Sequence, residues 1–290
     1  MGWRTVVVDS RSKVGYRGGY VVIKKDKDVL VHIAEIDVLV LASPQVSFTG
    51  MAMTELLKAK VKVILCDEKH NPIGELMGHR DYYRSSKRLM EQTQWSESLK
   101  GEATARLIRQ KICNQANLLV KTGRRDGAGL LYTYMGDVLP ADATNREGHA
   151  AKVYFNALFG PEFERHTSDN TNAALDYGYA ILLSCVNRAV TANGFVTQLG
   201  IHHCNEFNPF NLSCDLMEPL RPLVDEFVYD NPPPEALGKE YKYKLIGLLD
   251  RQITYDGRIS YLTDAIDAYV RNVLRAFNEG SLDGLILYEF

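Results

Sequence analysis

The period of the apolar residues changes once along this chain, near residue 80, and that change limits the folds open to it. Before it come short segments rich in Val and Ile: Trp3 to Val8, Tyr20 to Lys25, Val29 to Ile33, Val38 to Ala42 and Val61 to Cys66. Turn signals such as RGG, KDKD, ASPQ and Asn71-Pro72 separate them, so they read as strands. Gly50 to Lys60 is the exception, with helical spacing at Met53, Leu56 and Leu57. After Asp81 the period becomes 3.6. Trp95 to Leu119, Asn145 to Phe159, Asn172 to Thr191, Met217 to Val228, Glu240 to Leu249 and Leu262 to Phe277 read as helices, with stop signals at Gly160 and Gly194 and a loop at Asp230 to Pro234. The expected class is therefore α+β: an N-terminal β-sandwich domain over 1–80, then an all-α domain over 81–290.

With 290 residues, 46% hydrophobic and 24% charged, the chain has enough apolar surface for two modest cores. Its longest apolar run, Ala180 to Val186, is far too short to span a bilayer, so no membrane association is expected. Val6 to Val8 meets Asp9, Arg11 and Lys13 at once, which does not resemble a secretory leader; a cytoplasmic location is expected. The five cysteines form no CxxC pair, which argues against a disulfide framework or a structural zinc site. Net charge is only −2, but its distribution is uneven. Arg80 to Arg125 carries eleven basic and four acidic residues, whereas the segment from Asp126 onward carries twelve basic and 23 acidic. Such segregation permits a basic face able to grip a polyanion, with Arg84, Lys87, Arg106 and Arg109 as candidate phosphate contacts; a solvated helix surface is the commoner meaning of such a run.

Three candidate ligands stand in separate ordered segments: Glu147 in TNREGHAAKVYF, His203 in QLGIHHCNEFNPFN, and Glu218 in SCDLMEPLRPLVDEF, with Asp215 one helical turn earlier. Carboxylates with a single imidazole suit Mg²⁺ or Mn²⁺ better than zinc, and ions held this way perform phosphoryl transfer, often on nucleic acid. Each residue also has a structural reading. Thr144-x-x-Glu147 fits a capping box, although Glu147 shares a helix face with Ala150, Ala151, Tyr154 and Leu158. A lone His is commonly structural, and Gly200-x-x-His203 is a weak signal. Asp215 and Glu218 project to one side of a helix, but acids near a helix start are ordinary caps, and Pro219 and Pro222 place a helix start nearby. Arg221 is positioned to pair with a carboxylate or to meet a phosphate. No P-loop, GxSxG or HExxH is present, and nothing marks Cys204 as an activated thiol. Three functions stay open at this point: metal-assisted DNA phosphoryl transfer, a non-catalytic DNA-binding scaffold, and a small-molecule metallohydrolase.

The strings GWRTVVVDS, NREGHAAKVYFNALFG, LDYGYAILLS and QLGIHHCNEFNPFNLSCDLMEPLRPLVD resemble the CRISPR-associated family of spacer-acquisition integrases and endonucleases, and in particular its subtype II-A branch. The resemblance runs from about Trp3 into the last helix. It implies a β-sandwich domain used for dimerisation and an α-helical catalytic domain. It also implies metal ligands at Glu147, His203 and Glu218, with Asp215 auxiliary and Mg²⁺ or Mn²⁺ bound. Many relatives carry a second acid where this chain has Pro219. The implied partners are a second copy of the chain in a homodimer, DNA as a short duplex fragment and a CRISPR leader-repeat, and a small ferredoxin-like CRISPR-associated protein. An accessory DNA-end-binding protein and an RNA-guided effector nuclease are implied as well.

Overall fold

A computed structural model describes residues 2–25, 27–78 and 84–290. The N-terminal strands are β1 (Arg4–Val8), β2 (Ser12–Arg17), β3 (Tyr20–Lys24), β4 (Val29–His32), β5 (Ile36–Leu41) and β6 (Val46–Phe48). After helix α1 (Gly50–Lys58) come β7 (Lys62–Cys66) and β8 (Pro72–Leu76). They form two four-stranded sheets, ordered β1-β5-β7-β8 and β4-β3-β2-β6. β5 lies parallel to both β1 and β7, with Leu39 opposite Val6 and Val63. Strand alternation sorts the side chains. Val6, Val8, Leu39, Leu41 and Val63 point into the sandwich, where they meet Val14, Val21, Ile23 and Val31 of the second sheet and Ala52 and Leu56 of α1. Val38, Val40, Ala42, Ile64 and Cys66 point the other way and join the core of the helical part. The central strand β5 is thus buried on both faces, which is why it reads as an apolar run interrupted only by Asp37.

The helical part comprises α2 (Ser85–Thr93), α3 (Glu97–Lys121), α4 (Arg125–Gly136), α5 (Arg146–Phe159), α6 (Asn170–Ala192), α7 (Asn211–Met217), α8 (Arg221–Asp230), α9 (Lys239–Ile246) and, after a hairpin, α10 (Leu262–Glu279). Ser96 caps α3 by accepting from Leu99 N at 3.2 Å, and Asp169 caps α6 by accepting from Asn172 N at 2.8 Å. α6 is buried on nearly all sides, with Leu175, Tyr179, Leu182 and Val186 in the main core; each such side chain contributes roughly 1.5–3 kcal/mol of burial free energy. α3 places Ala105, Ile108, Ile112, Ala116 and Leu119, one helical stripe, against Leu131 of α4 and Ala150, Tyr154 and Leu158 of α5. Sheet and helices are also joined by charge: Lys62 of β7 is buried between Asp37 at 3.4 Å and Asp267 of α10 at 3.2 Å.

The expected class holds, a β-rich N-terminal region followed by a helical one. The helical region is not purely helical, however: β9 (Gln252–Tyr255) and β10 (Arg258–Tyr261) form an antiparallel hairpin. Its two-residue turn is Asp256-Gly257, with φ of 50° and 69°, the backbone that an Asp-Gly pair favours. The single helix expected from Met217 is instead α7, a 3₁₀ turn over Glu218–Leu220 and then α8, because Pro219 and Pro222 cannot donate to a continuous ladder. The domain boundary expected between 80 and 81 lies outside the described residues. Among the described residues no helix is long and apolar enough to cross a membrane.

Candidate active site

α5 begins after an unusual turn. Ala141, Asp142 and Asn145 have φ of 56°, 48° and 50°, left-handed conformations that cost non-glycine residues roughly 1–3 kcal/mol each. The turn brings the Asp142 carboxylate under the helix start, where its two oxygens accept from Arg146 N at 2.8 Å and Glu147 N at 3.0 Å. Asp142 thus does the capping that the sequence offered to Thr144 and Glu147. The Glu147 side chain reaches instead to Lys111 of α3, with Nζ at 2.5 Å from Oε1.

Glu218 opens the 3₁₀ turn between α7 and α8 and is buried. Its Oε1 accepts from Arg221 Nε at 2.9 Å, and the Arg221 guanidinium lies 4.5 Å over the Tyr179 ring. Its Oε2 faces Lys111 Nζ as an ion pair yet accepts no well-directed hydrogen bond. One ammonium therefore stands between two carboxylates from different helices. Burial pushes the Glu218 carboxyl up, but Arg221 and Lys111 outweigh it and bring it down to about 2. Burial works against the Lys111 charge, and Glu218 and Glu147 overcome it, so the group stays above the usual lysine range.

His203 sits in the loop between α6 and α7, and that loop is fastened from several sides. Gln92 of α2 donates to Val196 O at 2.9 Å and Leu199 O at 2.8 Å, and Asn211 donates to Gln198 O at 3.1 Å and Asn205 O at 2.9 Å. Asp215 of α7 is the main anchor: it accepts from the backbone N–H groups of Ile201 (2.5 Å), His202 (3.0 Å) and His203 (3.0 Å), and its Oδ1 is 2.6 Å from His203 Nδ1. A carboxylate at Nδ1 selects the tautomer that leaves the Nε2 lone pair free. That hydrogen bond, against opposing burial, raises the His203 pKa, helped by the charges of Asp215, Glu218 and Glu147. The imidazole therefore lies within electrostatic reach of both carboxylates. Gly200 is required here: a Cβ would collide with the His203 carbonyl oxygen and stand 2.9 Å from Asp215 Oδ2. Beside His203 opens a basin of about 780 Å³ lined by Lys100, Gln198, Cys204, Phe207 and Asn208, with Phe207 86% exposed.

Glu147 and Glu218 are thus brought together through one cation, with His203 nearby. The hydrogen bonds described for the Asp215 side chain all go to the His203 loop, so its role in the metal-free protein is that of an anchor. Among the described residues no three His, Cys, Asp or Glu side chains are already drawn in around one metal-sized point. The donor chemistry is nonetheless that of a hard divalent cation, and Lys111 marks where positive charge is wanted. Of the expected phosphate contacts, Arg106 donates to Leu282 O at 2.6 Å and pairs with Glu102, Arg109 donates to Val138 O at 2.6 Å, and Arg221 is held by Glu218. These three guanidinium groups tie the protein to itself. Lys87 lies mostly in solvent beside Glu91, and Arg84 is exposed at the start of α2. The sequence reading passed over Lys111, Asp142 and Gln92. Lys111 carried a usable signal: it follows Leu107 by four and Ile108 by three, on the apolar face of α3.

A β-sandwich joined to a helical part, with Glu147 and Glu218 on one buried ammonium and His203 anchored by Asp215, defines the class of fold and site. The chain belongs to the Cas1 family: residues 5–231 match the family described as CRISPR associated protein Cas1. It is 34% identical over 275 residues to the CRISPR-associated endonuclease Cas1 of Neisseria meningitidis serogroup C (strain 8013), covering 93% of this chain and 90% of that protein. Solved structures share its fold. A casposase bound to integration product superposes with a TM-score of 0.75 at 17% identity, over 95% of this chain and 91% of that one. The Cas6-RT-Cas1–Cas2 complex gives 0.73 at 18% identity over 99% of this chain, which spans only 36% of that longer chain.

Proposed function

We propose that this protein is a divalent-metal-dependent DNA strand transferase and endonuclease of CRISPR spacer acquisition, acting in the cytoplasm. It inserts short foreign-DNA fragments into a CRISPR array. The observation that carries the reading is the convergence of Glu147 and Glu218, from separate helices, on one cation position beside a carboxylate-anchored His203. Family membership and the shared casposase fold support it.

In this reading Glu147, Glu218 and His203 Nε2 hold Mg²⁺ or Mn²⁺. When bound, the ion supplies Lewis-acid polarisation of the scissile phosphate and charge stabilisation. Asp215 keeps the His203 ring oriented and takes the Nδ1–H, so that the neutral imidazole presents Nε2. Arg221 fixes the rotamer of Glu218 and balances its buried charge. The 3′-hydroxyl of a captured strand attacks a repeat-end phosphodiester: one P–O bond forms, the bond to the 3′-oxygen breaks, and the proton lost by the attacking hydroxyl is matched by one taken up at the leaving oxygen. Bond types balance, so no nucleotide cofactor is needed, and water in place of the hydroxyl gives nuclease activity. The working assembly is a homodimer through the β-sandwich, two dimers flanking the small ferredoxin-like partner, aided by a DNA-end-binding protein and the RNA-guided effector nuclease.

The test is an integration assay with a labelled short duplex, a plasmid array and the small partner protein, with and without EDTA. Glu147→Ala and His203→Ala should each lower strand transfer by about 100-fold or more with DNA binding retained. Full activity in either variant, or activity in EDTA, refutes the assignment; a DNA scaffold would show no Mn²⁺-dependent turnover at all.

A further inference from the structure

The ammonium of Lys111 occupies the space that the proposed function assigns to a divalent ion. Lys111 is 8% exposed, and a buried ammonium is costly unless fully paired. Its partners are Glu147 Oε1 at 2.5 Å and Glu218 Oε2. Glu218 already has Arg221 on its other oxygen, whereas Glu147 has Lys111 as its side-chain partner. Lys111 is shared between both carboxylates, whereas Arg221 serves Glu218 alone. A lysine does this where an arginine would not: it is a compact charge on a flexible four-carbon stem, able to withdraw.

We propose that Lys111 is a built-in counter-ion of the metal site. Resting on the function proposed above, Lys111 holds Glu147 and Glu218 together in the metal-free protein and gives up its place when a divalent ion binds. It is a positioning residue that sets divalent affinity. Without it the two carboxylates repel one another in the metal-free state, and with it each divalent ion must displace a positive charge.

The test is Mn²⁺ titration of purified full-length protein by calorimetry, with thermal unfolding alongside. Lys111→Met, similar in length and uncharged, should bind Mn²⁺ at least tenfold more tightly than wild type. Its metal-free form should melt lower, and Mn²⁺ should raise its Tm by more than it raises that of wild type. Lys111→Arg keeps the charge and should bind Mn²⁺ no more tightly than wild type. Equal or weaker Mn²⁺ affinity in Lys111→Met, with wild type binding normally, overturns the proposal and leaves the metal-dependent function standing. A loss of DNA affinity with unchanged Mn²⁺ affinity also overturns it, making Lys111 a phosphate contact. No Mn²⁺ binding by wild type overturns both readings. If Lys111→Met does not fold, wild type labelled with ¹³Cε-lysine decides the matter. Saturating Mg²⁺ should shift the Lys111 resonance, assigned by its loss in Lys111→Arg, and an unmoved resonance overturns the proposal.

Discussion

Removing the Asp215 carboxylate should separate the anchoring of His203 from direct ligation. Asp215→Ala takes an acceptor from three backbone N–H groups, those of Ile201, His202 and His203, and from the His203 ring. Hydrogen bonds to a charged group contribute about 1.5–3 kcal/mol each, but the freed loop regains some bonds to water, so the net cost should be about 3–5 kcal/mol. For cooperative unfolding of 290 residues, with an entropy near 2.1 cal/mol/K per residue, this corresponds to a Tm loss of about 5–8 °C. Asp215→Asn should fall between, since its one remaining oxygen cannot replace two and its amide turns a donor toward backbone donors. Unfolding is measured in EDTA, and strand transfer in Mn²⁺ should drop by about 100-fold as the imidazole loses its orientation. A metal-free Tm within about 1 °C of wild type, combined with lost activity, would refute the anchoring argument and restore Asp215 as a ligand.

The basic residues of α3 should behave differently from Lys87. Arg106→Gln and Arg109→Gln should each cost about 1–2 kcal/mol in denaturant unfolding by freeing the Leu282 and Val138 carbonyls. Lys87→Gln, on a mostly solvated side chain, should instead weaken DNA binding and flatten its salt dependence at constant Tm; the reverse pattern would show that the roles are exchanged. Asp225 should show in the pH profile, since burial lifts its carboxyl to about 6 despite hydrogen bonds from Tyr179 and Tyr154. Between the ordinary Asp value and about 6 the folded state binds more protons than the unfolded one, so this group's contribution to stability falls as pH rises. Asp225→Asn lacks that loss, and from about pH 4.5 to about pH 7 its stability should gain on wild type by about 2 kcal/mol in urea titrations; a constant difference would contradict the burial argument.

How much was readable depended on how local each cause is. The apolar periods of α3, α5, α6 and α10 located those helices to within a few residues. α4 was missed because its segment, RDGAGLLYTYMG, holds three glycines, and α2 because SSKRLMEQT is short and polar. The β9–β10 hairpin was written in Asp256-Gly257 and overlooked between two strong helices. Gly200 was noticed as a weak spacing signal, and its reason, the close approach of the His203 carbonyl, exists only in the folded loop.

Side-chain chemistry and periodicity, both local, were enough to set a β region before a helical one and to mark Glu147, His203 and Glu218 as candidate donors, with caps and a structural histidine as the alternatives and a ligand role implied by the resemblance. The tertiary structure alone decided what each donor faces. Lys111 and Glu147 are 36 residues apart, and no local rule says that a lysine counted in a basic surface run turns inward to meet two carboxylates. Likewise, Asp142 could replace Glu147 as the cap only through left-handed backbone at Ala141, Asp142 and Asn145, which Asp and Asn adopt readily but Ala141 does not, so the turn is not written in local preference alone.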